Sequence, residues 1–274
     1  MKISILGCGW LGLPLAQQLV KNGHVVRGST TTLAKLASLR QVGVQPFCLN
    51  LNPEPMGVGW DFFLETEVLI INIPPRLERA GSDFHPAQMR ALVHLLANSP
   101  VRQLVYVSST SVYPELNREM VETDVATPAQ SAVPALVVAE QLLQNTGIPT
   151  LVLRCGGLMG YERIPGKYVS GKQNLDTGDI PVNYVHRDDV IAAIIHLLSS
   201  ETPQTETYNV VAPAHPARRL VYEATCLPFG YTTPTFAQAP VAHSFKTVSS
   251  HKLMAHTHFC FKYPNPLLFS YVSV

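Results

Sequence analysis

The chain has 274 residues, 46% of them hydrophobic and 14% charged, with a formal net charge of +1. That length supports one sizeable core plus a small accessory lobe. A near-neutral balance without a long basic run argues against nucleic acid and acidic membrane surfaces as partners, and so lightly charged a surface suits burial in a homodimer.

The chain opens on the strand-like Lys2-Ile3-Ser4-Ile5-Leu6, with no basic segment, apolar run and cleavage site ahead of it, so a cytoplasmic protein without a secretory leader is expected. Apolar runs then alternate with longer helical patterns, the mark of strand–helix–strand units and a parallel sheet. The pattern predicts strands over 2–7, 24–28, 44–49, 67–73, 102–107 and 149–154, and helices over 11–22, 33–42, 86–98 and 129–146. The cores of the later strands, such as 68–71 and 104–107, are apolar on both faces, as strands covered by helices on each side must be. After residue 154 a glycine-rich stretch reads as loop, followed by a strand–helix unit over 183–199, a strand over 207–211 and a Pro- and His-rich remainder. The expected fold is α/β: a doubly wound parallel sheet from 1–154 plus 183–211, with a small discontinuous C-terminal α+β lobe from 155–182 plus 212–274. The longest apolar stretch, 190–198, is far short of a membrane span. Cys8, Cys48, Cys155, Cys226 and Cys260 are scattered with no CxxC pair, so reduced thiols and no metal site are expected.

Gly7-Cys8-Gly9-Trp10-Leu11-Gly12 directly follows the first strand and opens the first helix. In a Rossmann dinucleotide-binding turn the first glycine permits the bend and the second lets backbone reach a pyrophosphate. The third brings helix and strand close, and the helix N-terminus faces the anion. The second strand leads into Arg27-Gly28-Ser29-Thr30-Thr31-Thr32, which lacks the acid that would hold a ribose 2′-hydroxyl. Hydroxyls beside a cation favour the 2′-phosphate of NADP over NAD, although Arg27 pointing to solvent is the alternative. Asn50 and Leu51, after the third strand, lie where an adenine edge is read, and Asn offers both donor and acceptor. Asn72-Ile73-Pro74-Pro75, after the fourth strand, would line the ribose and nicotinamide or merely stiffen the loop.

Ser108-Ser109-Thr110-Ser111-Val112-Tyr113 resembles the Ser-Ser-x-x-Val-Tyr segment of the extended short-chain dehydrogenase/reductase (SDR) family, the nucleotide-sugar epimerase/dehydratase group. Leu153 to Gly160, the Asn183 to Val190 segment and Tyr208-Asn209-Val210-Val211 are similar to later segments of that family, Asp188 or Asp189 being placed to cap the following helix. With Arg163 to Lys167 and His215 to Arg218 the chain resembles the atypical, YeeZ-like members over nearly its whole length. The resemblance implies an NAD(P) cofactor, with Ser108 beside it, and a small-molecule substrate approached by Glu122, Arg154, Arg163 and His186.

Active members carry Tyr-x-x-x-Lys on the helix after the fifth strand, the Tyr acting as acid or base beside a Ser. Ser109 fills the Ser position. Ala139-Glu140 resembles the Ala-Glu that follows the pair, and counting back puts Ala132 and Leu136 in the Tyr and Lys positions. From Ala129 to Gln144 there is neither Tyr nor Lys. Two readings follow. Either another group, Tyr113 with Ser109 or His186, performs the chemistry, or the fold is a non-catalytic dinucleotide-binding or redox-sensing protein. Packing is the more common role of a Tyr in this segment, a hydrogen-bonded core histidine that of His186, and Glu122 fits a solvated surface as well as a substrate cleft. No G-x-S-x-G elbow supports a hydrolase.

Overall fold

The computed structural model describes residues 1–75, 81–200, 202–239 and 241–272. Residues 76–80 and Glu201 of the expected sheet domain and Pro240, Ser273 and Val274 of the expected lobe lie outside the described residues. Seven strands form one parallel sheet: β1 Lys2–Leu6, β2 Val25–Thr30, β3 Gln45–Cys48, β4 Val68–Ile71, β5 Gln103–Ser109, β6 Thr150–Cys155 and β7 Glu206–Val210. Their spatial order is β3-β2-β1-β4-β5-β6-β7, the doubly wound order 3-2-1-4-5-6 extended by one strand. The order reverses beside β1, which pairs in parallel with β2 on one side and β4 on the other. A ligand crevice is expected at that switch point, beyond the strand C-termini.

Among the described residues the helices are α1 Gly12–Lys21, α2 Leu36–Gln41, α3 Trp60–Leu64, α4 Phe84–Leu96, α5 Pro134–Gln144, α6 Pro165–Val169, α7 Arg187–Leu198, α8 Arg218–Cys226 and α9 His251–Thr257. On one face of the sheet, Leu69, Ile71, Leu104, Tyr106 and Val152 pack against Met89 and Leu92 of α4 and Ala139 and Leu143 of α5. Truncating any fully buried leucine of that layer to alanine should cost about 2–5 kcal/mol. The helix expected over 129–146 is shorter. Pro134 stands at its first turn, where a missing N–H costs nothing. The ring excludes the helical region from the preceding residue, and Val133 sits at φ −132°, ψ 78°. Ala132 therefore lies outside α5, exposed, while Leu136 lies inside it, 2% exposed.

The chain divides into two compact units, one of 1–108, 126–153 and 194–207, the other of 109–125, 154–193 and 208–274. The second unit thus takes in, besides the expected lobe, the segment after β5, Arg154, the 183–193 stretch and residues 208–211. Its local frame is two short parallel pairs, Gly157–Met159 with Tyr184–His186 and Arg118–Met120 with Lys246–Val248. The 118–120 strand pairs with residues more than a hundred positions later, which explains why sequence periodicity assigned the segment after β5 elsewhere. Among the described residues no helix is long and apolar enough to cross a membrane, and no cluster of His, Cys, Asp and Glu has the makings of a metal site.

Candidate cofactor site

β1 ends at Leu6 and the chain turns at Gly7, whose φ of +106° lies in the region that favours glycine. A Cβ there would come 2.3 Å from the Asn72 carbonyl oxygen, so the two strand ends meet backbone to backbone. Three bonds fix the turn: Gly7 N–H donates to Ser29 Oγ at 2.9 Å, Cys8 N–H to Ser29 O at 2.8 Å, and Asn72 Nδ2 to Gly7 O at 2.9 Å. A Cβ on Gly12 would likewise strike Gly7 O at 2.3 Å, whereas one on Gly9 would meet no atom within 4 Å. Gly7 and Gly12 are thus required by the fold, and Gly9 borders open space beside the N-terminus of α1. Bare backbone there is what a pyrophosphate needs, so the residues present fit a dinucleotide. Of the other turn residues, Leu11 is buried in the core and Trp10 is half-buried.

A cleft of about 180 Å³ opens over this turn. Its walls bring together Gly7, Gly9, Ser29, Thr30, Thr31, Asn50, Leu51, Asn72, Ile73 and Pro74, all expected from the sequence, and also Cys8, Thr32, Lys35 and Gln88, which were not. Pro75 and Ser108 are not among its walls; Ser108 is buried and donates to Glu140 Oε1 at 2.5 Å. Arg27 requires a correction. β2 runs on to Thr30, which puts Arg27 in mid-strand, 5% exposed. Its guanidinium donates to Phe62 O at 2.5 Å and to Glu65 O, lies 4.1 Å over the Phe62 ring and pairs with the Glu65 carboxylate at 3.7 Å. It ties β2 to α3 and does not face the cleft. Among the described residues the cation on the cleft wall is Lys35, and no acidic side chain lines it. The Thr run pointed toward Lys35 in the sequence; Gln88, inside a helical pattern, gave no signal. The Cys8 thiol is pushed up to about 12 by burial, which leaves it un-ionised at neutral pH.

Gln88 belongs to a buried polar chain. Its Nε2 donates to Leu51 O at 2.6 Å, and its Oε1 lies 2.9 Å from His85 Nδ1. An amide oxygen only accepts, so Nδ1 carries the proton and Nε2 accepts from the Tyr106 hydroxyl at 2.6 Å. Burial holds the His85 pKa below its usual value. Burial, and then the Glu140 charge, raises the Tyr106 phenol well above its own. A neutral histidine thus fixes the Gln88 amide, and the amide fixes the Leu51 backbone at the cleft wall.

The residues expected to act or to touch substrate lie in the second unit, and most hold it together. Tyr113 is fully buried, donates to Asn209 Oδ1 at 2.7 Å and accepts from Arg154 Nη1 at 3.1 Å. Burial outweighs the Arg154 charge and pushes its phenol up to about 12. Arg154 also donates to Glu122 O at 3.2 Å and Val125 O at 2.9 Å, and Glu122 Oε1 accepts the Asn209 N–H at 2.8 Å. His186 is fully buried. Its Nε2 donates to Ser270 O at 3.1 Å, its Nδ1 accepts the Asp188 N–H at 3.2 Å, and burial lowers its pKa. Tyr113, Glu122, Arg154 and His186 are therefore buried groups whose polar atoms are engaged within the unit, as the packing alternative for Tyr113 and the core alternative for His186 have it. Asp189 receives the N–H groups of Lys262 and Tyr263 at 2.7 and 3.0 Å, and Asp188 accepts from Tyr161 Oη, so these carboxylates pin the tail and the 160s loop where helix capping was expected. Arg163 closes a tight turn through paired backbone bonds with Gly160. Ser109 stays half-buried, its Oγ accepting from Ser111 N and Oγ at 3.1 and 2.9 Å.

Comparison with known proteins agrees with this geometry. The protein family described as NAD(P)H-binding matches residues 7–201. Protein YeeZ of Escherichia coli is 32% identical over 270 residues, covering 97% of this chain and 98% of its own. UDP-glucuronic acid 4-epimerase from Bacillus cereus, solved with UDP-glucuronic acid and NAD, superposes with a TM-score of 0.76 at 15% identity, covering 97% of this chain and 96% of that one. A short-chain dehydrogenase/reductase superfamily protein from Agrobacterium tumefaciens, solved with NAD, gives 0.76 at 14% identity, with coverage of 98% and 95%. At such identities the solved structures speak for the fold alone. Glycine turn, sheet order, family match and full-length relative converge: the chain belongs to the NAD(P)H-binding family and is a YeeZ homologue on the short-chain dehydrogenase/reductase fold.

Proposed function

We propose that this protein binds NADP(H) in preference to NAD(H) and does so without the Tyr–Lys proton chemistry of active SDR enzymes. The observation that carries the first half is the cleft wall: Thr30, Thr31, Thr32 and Lys35 with no acid among them. A cation favours a 2′-phosphate, and a carboxylate is what an NAD-specific site uses to hold a bare ribose. Gly9 admits the pyrophosphate, Asn50 and the Leu51 backbone held by Gln88 flank the adenine, and Asn72 and Ile73 flank the ribose. When bound, the nicotinamide supplies a hydride donor or acceptor.

What supports the second half is the state of the groups that would move a proton. Leu136 is a buried core side chain, Ala132 precedes the helix, and the substitute phenol and imidazole, Tyr113 and His186, are locked in buried hydrogen bonds. The reading is a dinucleotide-binding protein of the epimerase and oxidoreductase type with feeble turnover or none. Fluorescence titration with NADPH and NADH, followed by assay against carbonyl compounds and nucleotide-sugars, tests it. Tighter binding of NADPH with negligible turnover is expected. Equal affinity for the two cofactors overturns the preference, and ordinary enzymatic rates overturn the second half.

A further inference from the structure

Behind the cleft wall the buried hydrogen bonds run in one direction along their whole length. The Leu51 carbonyl only accepts, so the Gln88 amide turns its nitrogen to Leu51 and its oxygen to His85. That oxygen demands a proton on His85 Nδ1, which leaves Nε2 to accept from the Tyr106 hydroxyl. His85 is fully buried, and Gln88 and Tyr106 are buried beside it, so water does not replace a lost partner. His85 and Gln88 stand three positions apart on α4, and the amide spans the gap from the imidazole to the cleft wall.

A second proton on the ring has one place to go, Nε2, where it puts an N–H against the Tyr106 O–H. Tyr106 makes no other hydrogen bond among the described residues, and burial with the Glu140 charge opposes its ionisation. Two donors facing each other in a buried site carry the desolvation cost of an unpaired polar group. The neighbouring elements offer the ring no counter-charge among the described residues. Asp83 and Arg90 pair with each other on the surface at 2.8 Å, Asp61 of α3 and Glu54 of the 50–56 hairpin are exposed, and Glu140 of α5 bears on Tyr106. A protonated ring is therefore relieved by moving, and Gln88 moves with it.

We propose that His85 is a positioning residue for the dinucleotide: neutral, it holds through Gln88 the Leu51 backbone that flanks the adenine, and a proton on Nε2 loosens that wall, so cofactor binding and His85 protonation oppose each other. The inference rests on the reading of the cleft as a dinucleotide site. Linkage makes the opposition reciprocal: acid weakens cofactor binding, and bound cofactor makes the ring harder to protonate. The full-length protein and His85→Gln are titrated calorimetrically with NADP+ at about pH 7.5 and about pH 5, conditions under which folding is checked first. The glutamine amide offers a donor to Gln88 and an acceptor to Tyr106 but takes no proton. The 2′-phosphate titrates alike with both proteins, so the difference between them reports His85. The wild type should lose about three- to tenfold more affinity than the variant over that interval. In the wild type alone, proton NMR of the His85 ring, identified by its through-space contact with the Tyr106 ring, should show it titrating at lower pH with saturating NADP+ than without. A purely structural histidine would not respond to the cofactor. NADP+ binding that leaves the His85 titration unmoved overturns the inference and leaves the cofactor reading standing. No binding of NADP+ at the higher pH overturns the cofactor reading and this inference with it.

Discussion

Asn72 donates from its side-chain amide to the Gly7 carbonyl oxygen at 2.9 Å, joining the C-terminal ends of β1 and β4 at the point where the sheet order reverses. The bond holds the first glycine of the phosphate turn from outside the motif. Asn72→Ala removes the donor and leaves Gly7 O without it. Urea unfolding should show a loss of roughly 1–2 kcal/mol, with weaker NADPH binding at temperatures where the variant is folded. A variant that loses stability but binds NADPH as the wild type does would show that the turn keeps its shape unaided.

Lys35 and Arg27 divide two roles that the sequence assigned to one residue. Lys35→Ala should lower NADPH affinity about five- to tenfold while leaving NADH affinity unchanged, as expected for one exposed cation facing a 2′-phosphate. Arg27→Ala should leave the ratio of the two affinities alone and lower the melting temperature, since it strips the carbonyls of Phe62 and Glu65 of their donor. Paired titrations and melts of both variants decide it, and a selectivity change in Arg27→Ala would restore the guanidinium to the cofactor site.

Acid should weaken the fold through His85 and His186. Burial lowers both pKa values from 6.5, so between the folded value and 6.5 the unfolded chain binds more protons. Stability is then complete above that range and falls as pH drops through it. Urea midpoints should be lower at about pH 5.5 than at about pH 7.5, and His85→Gln should narrow the gap. An unchanged gap in the variant would mean that His85 is not a source of the acid sensitivity.

The proton-transfer half of the account bears on an attempt to rebuild the missing pair. General acid–base assistance is worth roughly 10²–10⁴-fold. Leu136→Lys, however, places an ammonium at a position only 2% exposed and should cost on the order of 3 kcal/mol. Thermal melts of Leu136→Lys should show that loss. A lysine accepted there without it would mean that the side chain reaches a polar cleft, and the Tyr–Lys repair would then be worth assaying.

The sequence carried the parts of the fold that rest on local pattern. The apolar runs marked β1 to β6 in order, and Gly7, Gly9 and Gly12 announced their turn because strand, glycines and helix are contiguous. Boundaries were less legible. Arg27 was read as a strand-end residue because β2 was expected to stop at 28, and the two further residues, to Thr30, moved it into mid-strand. Pro134 shortened α5 in the same local way. Tyr113, Glu122 and His186 were left open between chemistry and structure for another reason. Their partners, Asn209 for the first two and Ser270 for the third, lie 84 to 96 positions along the chain. Residue type suggested chemistry for them, and only the tertiary pairing shows that their polar atoms are already engaged. Gln88 is the converse, unremarkable in sequence and brought to the cleft wall by packing.

Calorimetric titration of NADPH into the wild type and Gly9→Val tests the central claim most directly. A Cβ at position 9 meets no protein atom within 4 Å, so valine should leave the melting temperature close to that of the wild type while filling the space a pyrophosphate needs. The account predicts saturable binding of one NADPH per wild-type chain and no detectable binding to a well-folded Gly9→Val. NADPH bound with equal affinity by both, or by neither, would contradict it.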